Sequence, residues 1–255
     1  MTRPLAIDLF CGLGGWTEGL LAEGYDVIGF DIERHEYGEH RYPAQLVVQD
    51  VLTLHGSQFK TADLIVASPP CQFFSYTAMP WSRAKQLAAE VRKDPERKAQ
   101  ELALFNACFR IQEEACEASG RHIPLVVENV RGAIPWVGRS RWNYGSFHLW
   151  GDVPALMPAA RKAHKVPSFR FDGSGGSFQT ASVRRTNKGN GVRFTSRDCG
   201  VEGTKNGNDW FGAGENCSLQ RRAGSNTPAR KMASAMIAKI PEPLARHVAA
   251  AWYPS

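Results

Sequence analysis

Through the first 150 residues, short apolar runs alternate with stretches that repeat at helical spacing. Residues 4–10 (PLAIDLF) are apolar apart from one aspartate and predict a buried strand, with the turn CGLGG directly behind it. Residues 16–24 (WTEGLLAEG) predict a helix that stops at Gly24. The runs 25–32, 44–51, 63–69 and 125–130 predict four more strands. Leu102, Phe105, Phe109 and Ala115 fall near helical spacing and predict a long helix over about 94–119. Strands that are apolar almost throughout need cover on both faces, and helices between them supply it. The expected fold class is therefore α/β, a Rossmann-like, mostly parallel sheet with helices on both faces.

The pattern changes after Trp150. Residues 165–228 are rich in Gly, Ser, Asn and Arg, with GSGGS, NKGNG and KNGND, and keep neither period. Short strands and loops are expected there, forming a small irregular basic lobe. A helical pattern then returns, with Thr227 as N-cap and Pro228 at the first helical position, and Pro241 and Pro243 break it in two.

Charge sharpens this division. Residues 161–231 carry fourteen Lys and Arg against five Asp and Glu, a balance of +9, which leaves −3 for the rest of a chain whose net charge is +6. A basic segment on a mildly acidic body points to a polyanionic partner, and equally to a solvated surface insert. No apolar run approaches the roughly 18 residues of a membrane-spanning helix, and no export signal is expected. The six cysteines, at 11, 71, 108, 116, 199 and 217, form no Cys-x-x-Cys pair. That pattern speaks against a zinc ribbon and fits a reduced, cytoplasmic setting, and no metal is expected.

The chemistry-bearing residues gather at predicted strand ends. Glycines 12, 14 and 15 lie in the first strand-to-helix turn, where backbone can approach a ligand and helix amides point outward. Asp31 ends the second strand, where a carboxylate can accept from two ribose hydroxyls. Asp50 ends the third, where it can accept from an adenine amino group. Either acid alone reads equally as a cap or turn residue. Together with the glycine turn, on one edge of an open sheet, they favour a nucleoside site. Cys71 follows Pro69 and Pro70 beyond the fourth strand. A free cysteine is usually a small buried hydrophobe. Glu128 and Asn129, however, interrupt the carboxyl end of another apolar strand, and a thiol beside a carboxylic acid suits a crevice better than a core.

These residues resemble the cytosine-5 DNA methyltransferases. DLFCGLGG (8–15) resembles that family's first cofactor motif, and FDIE and QDV resemble its second and third. SPPCQFFS (68–75) resembles its Pro-Cys-Gln motif, ENV (128–130) its Glu-Asn-Val motif, and IAKIPEPLARHVAAAW (237–252) its closing motif. The likeness covers about 4–151 and 228–252. It implies S-adenosylmethionine as cofactor, held by Phe10, Gly12, Leu13, Gly14, Asp31, Ile32, Asp50, Val51 and Pro70. It also implies Cys71 as nucleophile at carbon 6 of a flipped cytosine, Glu128 assisting at ring nitrogen 3, and methylation of carbon 5. Serine stands at 68 where the family usually has glycine, and Ile237-Ala238 replaces a Gly-Asn pair. The family's Gln-x-Arg-x-Arg motif has no clean match. GRSRWNYG (138–145) offers Arg139 and Arg141 without the glutamine, and LQRR (219–222) comes too late. Arg141 is favoured as the base-contacting arginine, with Arg139 second and a phosphate-binding or surface role equally open.

The expected enzyme is a monomeric, cytoplasmic methyltransferase of a bacterium or phage-infected cell, acting on double-stranded DNA. Its catalytic domain is expected over 1–154 and 228–255, with a target-recognition region at 155–227. The same chemistry on RNA, transfer of a modified group, and an inactive DNA-binding protein on this scaffold are the competing readings. Arg184, Arg185, Arg193 and Arg197 are candidate groove readers, since arginine pairs bidentately with guanine. Trp210 and Phe211 suit a small lobe core better than a duplex wedge. If about five of the fourteen basic residues reach phosphates, log affinity for DNA falls against log salt with a slope of about −4 to −5. A titration of binding over a range of salt concentrations checks this, and a slope near zero rules out the polyanion reading.

Overall fold

The computed structural model describes residues 2–75, 81–157, 231–232, 235–236 and 238–254, with only the backbone of 81–84. The recognition region expected at 155–227 lies almost wholly outside the described residues. So do Thr227, Pro228 and the four candidate groove arginines. The chain divides into one unit formed by Met1–Ala159 with Lys239–Ser255 and a second spanning Ala160–Ala238. The elements of the fold belong to the first.

Its centre is a seven-stranded sheet in the order β5-β2-β1-β6-β7-β9-β8. The strands are β1 (Leu5–Leu9), β2 (Asp26–Asp31), β5 (Gln45–Val48), β6 (Leu64–Ala67), β7 (Leu125–Val130), β8 (Trp142–Tyr144) and β9 (Phe147–Gly151). The five from β5 to β7 run parallel, while β9 and β8 add an antiparallel edge. Strands β3 (Glu36–Tyr37) and β4 (His40–Arg41) form a separate hairpin. The Rossmann-like, mostly parallel α/β fold expected from the sequence is the fold observed.

Helices cover both faces. On one side, α2 (Trp81–Lys93) and α3 (Pro95–Ser119) pack Val91, Phe105, Cys108 and Ile111 against Ile7, Leu9, Ile65 and Val127. On the other, α1 (Gly15–Ala22) and α5 (Glu242–Ala251) pack Trp16, Leu20, Leu244 and Val248 against Ala6, Leu64 and Val126. Successive residues of β1 and β7 thus serve opposite cores, which is why those strands are apolar except toward their carboxyl ends, at Asp8, Glu128 and Asn129. A short helix, α4 (Ile134–Val137), follows β7 through a 3-10 turn.

The third predicted strand departs from expectation, while the starts of α3 and α5 fall where the sequence put them. The third strand stops at Val48, and the chain tightens into 3-10 turns at Val51–Thr53 and Gly56–Phe59. Asp94 caps α3, its side chain accepting from Arg97 N at 3.0 Å, and Pro95 opens the helix. Pro241 is the N-cap of α5, so the expected break falls there.

The two helices of the second face approach closely at small residues. A Cβ built on Gly15 lies 2.3 Å from Ile240 N, and one on Gly19 lies 2.4 Å from the Ala245 Cβ. Helix propensity alone favours Ala over Gly by about 1 kcal/mol. At Gly15 the neighbouring atom is backbone and cannot rotate away. Gly15→Ala is therefore expected to destabilise by about 1–3 kcal/mol despite the better propensity, read as a lower urea midpoint at unchanged m-value.

Candidate active site

The carboxyl ends of β2, β1, β6 and β7 lie side by side, with Asp31 and Glu128 in the last residues of β2 and β7 and the glycine turn and Cys71 beyond β1 and β6. Three groups of contacts shape this edge.

The first is the glycine turn after β1. Phe10 has φ 58°, the only positive value among described non-glycine residues. Backbone bonds hold it so, with Cys11 N donating to Phe30 O at 3.1 Å and Gly14 N to Cys11 O at 2.7 Å. Gly12 has φ 52°, and a Cβ there would meet nothing within 4 Å. Its glycine thus serves backbone shape and leaves open space beside the turn. Gly12 N donates to Asp31 Oδ2 at 2.8 Å. His35 Nε2 lies 3.6 Å from Asp31 Oδ1, and Glu33 N donates to that oxygen at 3.4 Å. Burial acts to raise the Asp31 pKa, but the His35 side chain and the two amides outweigh it and hold the carboxyl below its usual range. Ile32, next in the chain, is 70% exposed. Leu13 is buried.

Asp50 lies two residues beyond β5. Its Oδ1 caps the following 3-10 turn by accepting from Leu52 N at 2.9 Å. Val51 belongs to the buried core, while Val48 and Leu52 beside it are exposed.

The second group lies beneath the turn. Asp8 is fully buried, its Oδ2 accepting from Thr17 Oγ1 at 2.6 Å, and Thr17 in turn accepts from the Tyr42 phenol at 2.7 Å. Asp8 Oδ1 is buried with no hydrogen-bond partner. Burial, opposed by the Thr17 hydroxyl and reinforced by Asp31, pushes the Asp8 carboxyl up to about 7. A neutral acid tolerates an unpaired oxygen better than a carboxylate does. Sequence reasoning missed this network, although an aspartate inside LAIDL was a visible signal. His35 carried none.

The third group holds the thiol. Ser68 N donates to Leu9 O at 3.1 Å, and Ser68 Oγ accepts from Trp16 Nε1 at 3.0 Å. The serine at this position thus ties the proline loop to α1, which glycine has no side chain to do. Asn129 Nδ2 donates to Pro69 O at 2.8 Å, joining the end of β7 to the same loop. Pro69 is buried and Pro70 exposed. Cys71 is half-buried, and its carbonyl accepts from Phe74 N and Ser75 N at 3.0 and 2.9 Å. Burial, then the charge of Glu128, pushes the Cys71 thiol up. Glu128 is itself 8% exposed and pairs in register with Leu149 of β9.

Arg139 and Arg141 are exposed on the approach to β8, and Arg141 N donates to Leu149 O at 2.8 Å. Between them Ser140 bonds the buried His148 at 2.9 Å, opposite Asn129 in register. Burial, with Arg131 nearby, lowers the His148 pKa. Among the described residues no three His, Cys, Asp or Glu side chains group to hold a metal ion, and no helix is long and apolar enough to cross a membrane.

A family model for the C-5 cytosine-specific DNA methylases matches residues 5–134, just over half of the chain. The chain belongs to this family. The match spans the glycine turn, Asp31, Asp50, Cys71 and Glu128. M.XorII, a type II methyltransferase of Xanthomonas oryzae pv. oryzae, is 30% identical over 87 residues, which cover 29% of this chain but only 20% of that protein. The chain thus aligns with about a fifth of that curated relative. Among solved structures, the Dnmt2 methyltransferase of S. pombe is 16% identical with a TM-score of 0.34, over 53% of this chain and 37% of its own. The Entamoeba histolytica methyltransferase EhMeth is 17% identical with a TM-score of 0.36, over 54% and 41%.

Asp8 has a directional consequence for stability. Between about pH 4 and 7 the folded protein keeps a proton on Asp8 that the unfolded chain has lost, so stability falls as pH rises through this window. The loss is on the order of a few kcal/mol. Asp8→Asn is expected to flatten this slope, as measured by urea denaturation at stepped pH.

Proposed function

We propose that the chain is an S-adenosylmethionine-dependent methyltransferase acting on cytosine carbon 5 in double-stranded DNA. The observation that carries this reading is the pairing of Cys71 and Glu128 at the ends of adjacent parallel strands, close enough for one charge to disfavour the other. That coupling matters chemically. A thiolate beside a carboxylate is penalised, so one proton is best held between the two groups. The attacking form is Cys71 thiolate with Glu128 protonated.

In this form the Cys71 sulfur bonds to carbon 6 of the flipped cytosine. The carbon 5–carbon 6 π electrons move toward carbon 5 and ring nitrogen 3, and Glu128 delivers its proton to nitrogen 3. S-adenosylmethionine, when bound, supplies an electrophilic methyl group for carbon 5. Loss of the carbon 5 proton to a base and rupture of the Cys71–carbon 6 bond then restore the aromatic ring.

The glycine turn fits such a cofactor. Gly12 leaves open space beside its backbone, Asp31 is kept charged for ribose hydroxyls, and exposed Ile32 offers an apolar face to a purine. Phe10, Leu13, Gly14, Asp50, Val51 and Pro70 are the further proposed contacts. Of these, Val51 acts from within the core and Asp50 only by adding a ligand bond to its capping bond. Arg141, or else Arg139, is proposed to meet the base. A catalytic domain over 1–154 and 228–255, a recognition region at 155–227, a monomer and a cytoplasmic setting complete the reading.

DNA carrying 5-fluorocytosine tests it, because fluorine cannot leave carbon 5 as a proton does. A denaturation-resistant protein–DNA adduct is expected, and Cys71→Ala should abolish it. Glu128→Gln should slow turnover by about 100- to 10,000-fold with cofactor affinity unchanged by calorimetry. Labelled methyl transfer to tRNA but not to DNA would replace the substrate assignment. Full activity in Cys71→Ala would overturn the mechanism.

A further inference from the structure

We propose that Trp136 is a positioning residue for the Cys71 thiol, acting through Phe73 and braced by Arg92. This rests on the reading of Cys71 as the nucleophile. Phe73 lies two residues past Cys71, inside the turn that the Cys71 carbonyl closes. Its ring centroid is 4.8 Å from that of Trp136, with the planes at 60°. Its neighbour Phe74 is fully buried, 5.3 Å from Phe73 and 6.4 Å from Phe105 of α3. The turn is thus pinned from within by Phe74 and from the side by Phe73.

Trp136 belongs to α4, joined to β7 by a single 3-10 turn. It therefore moves with the strand that carries Glu128. The Phe73–Trp136 contact spans from the thiol's turn to the acid's strand. A second tie, Asn129 Nδ2 to Pro69 O, makes the same span on the other side of Cys71. One tie falls two residues before the thiol and the other two residues after it. The first anchors to the end of β7 and the second to the helix directly behind that strand. The sulfur is thereby held in register with Glu128 from both directions. The Arg92 guanidinium sits 5.1 Å from the Trp136 ring, so the last turn of α2 closes over the stack. Addition needs sulfur and carbon 6 about 3–3.5 Å apart, and an error of about 1 Å can cost on the order of 100-fold in rate.

The test compares Trp136→Ala and Trp136→Phe with wild type in two assays. In the first, adduct formation with 5-fluorocytosine DNA is timed under single-turnover conditions. Trp136→Ala is expected to be about 10- to 100-fold slower with cofactor affinity unchanged, and Trp136→Phe to recover most of the rate. In the second, alkylation of Cys71 by iodoacetamide is followed against pH in the free protein. A loosened turn exposes the thiol, so Trp136→Ala should shift its alkylation midpoint to lower pH, while Glu128, the carboxylate facing the thiol, stays in place. The two assays move in opposite senses, slower addition beside easier alkylation, and the reactivity of Cys108 separates a loosened turn from general destabilisation. Fully buried Cys108 should stay unreactive, reporting an intact core. If Cys108 reacts in Trp136→Ala, Phe73→Leu and Arg92→Gln decide in its place, with the same two shifts expected and the smaller from Arg92→Gln. Wild-type values in both assays with Cys108 protected overturn the proposal. If wild-type protein forms no adduct, the functional assignment fails and the alkylation profile alone decides the positioning role.

Discussion

The candidate site depends on β1 having a parallel partner on each side. Leu5–Leu9 pairs with β2 across one edge and through Ala6–Leu9 with β6 across the other. Parallel pairing brings strand ends to one side of the sheet, and each neighbour adds about 4.8 Å. Asp31, the glycine turn, the proline loop and Glu128 are therefore confined to a line about 14 Å long. None of them makes this arrangement alone. It arises from fully buried strands whose polar backbone can be satisfied only by adjacent strands.

That confinement has a physical cost, and each buried polar group meets it differently. Asn129 satisfies both ends of its amide, through Pro69 O and Val130 N. Asp31 stays charged because amides and His35 surround it. Asp8 instead gives up its charge near neutrality and leaves one oxygen unpaired. The two buried aspartates thus reach opposite charge states within one sheet. Burial raises both, but Asp31 has His35 and two amides to oppose it, while Asp8 has only Thr17 and feels the charge of Asp31 besides.

The parallel core was legible because its signal is local. DLIVA and LVVENV announce buried strands, and their ends mark where the candidate site residues begin. The glycine turn, Asp31, Cys71 and Glu128 were legible for the same reason, each sitting where an apolar run stops. The antiparallel edge was not. Trp142–Tyr144 is three residues long, and a tight link to β9 leaves no period to read. Nor was the capping role of Asp50, because the third strand ends three residues sooner than the predicted run 44–51 does. His35, Tyr42 and Trp136 act through partners that their own stretch of sequence does not reveal, and a single polar or aromatic residue carries no sign of its partner.

The last element closes the structure across a long separation. Arg246 Nε donates to Glu23 Oε1 at 2.7 Å, and Lys239 meets Glu18 at the start of α1. About 80 residues, Ala160–Ala238, intervene between α5 and the rest of the sheet unit. Closing a loop of that length rather than one of about 10 residues adds roughly three doublings, about 2 kcal/mol. Burying Leu244 and Val248 against Trp16 and Leu20 returns about 1.5–3 kcal/mol for each side chain. The packing outweighs the closure entropy, and the entropy rises only logarithmically with length. The packing of α5 on α1 thus holds the glycine turn in shape from behind, however long the stretch of sequence that separates the two helices. That tightness comes from Gly15 and Gly19, where the absence of a side chain lets backbone meet backbone.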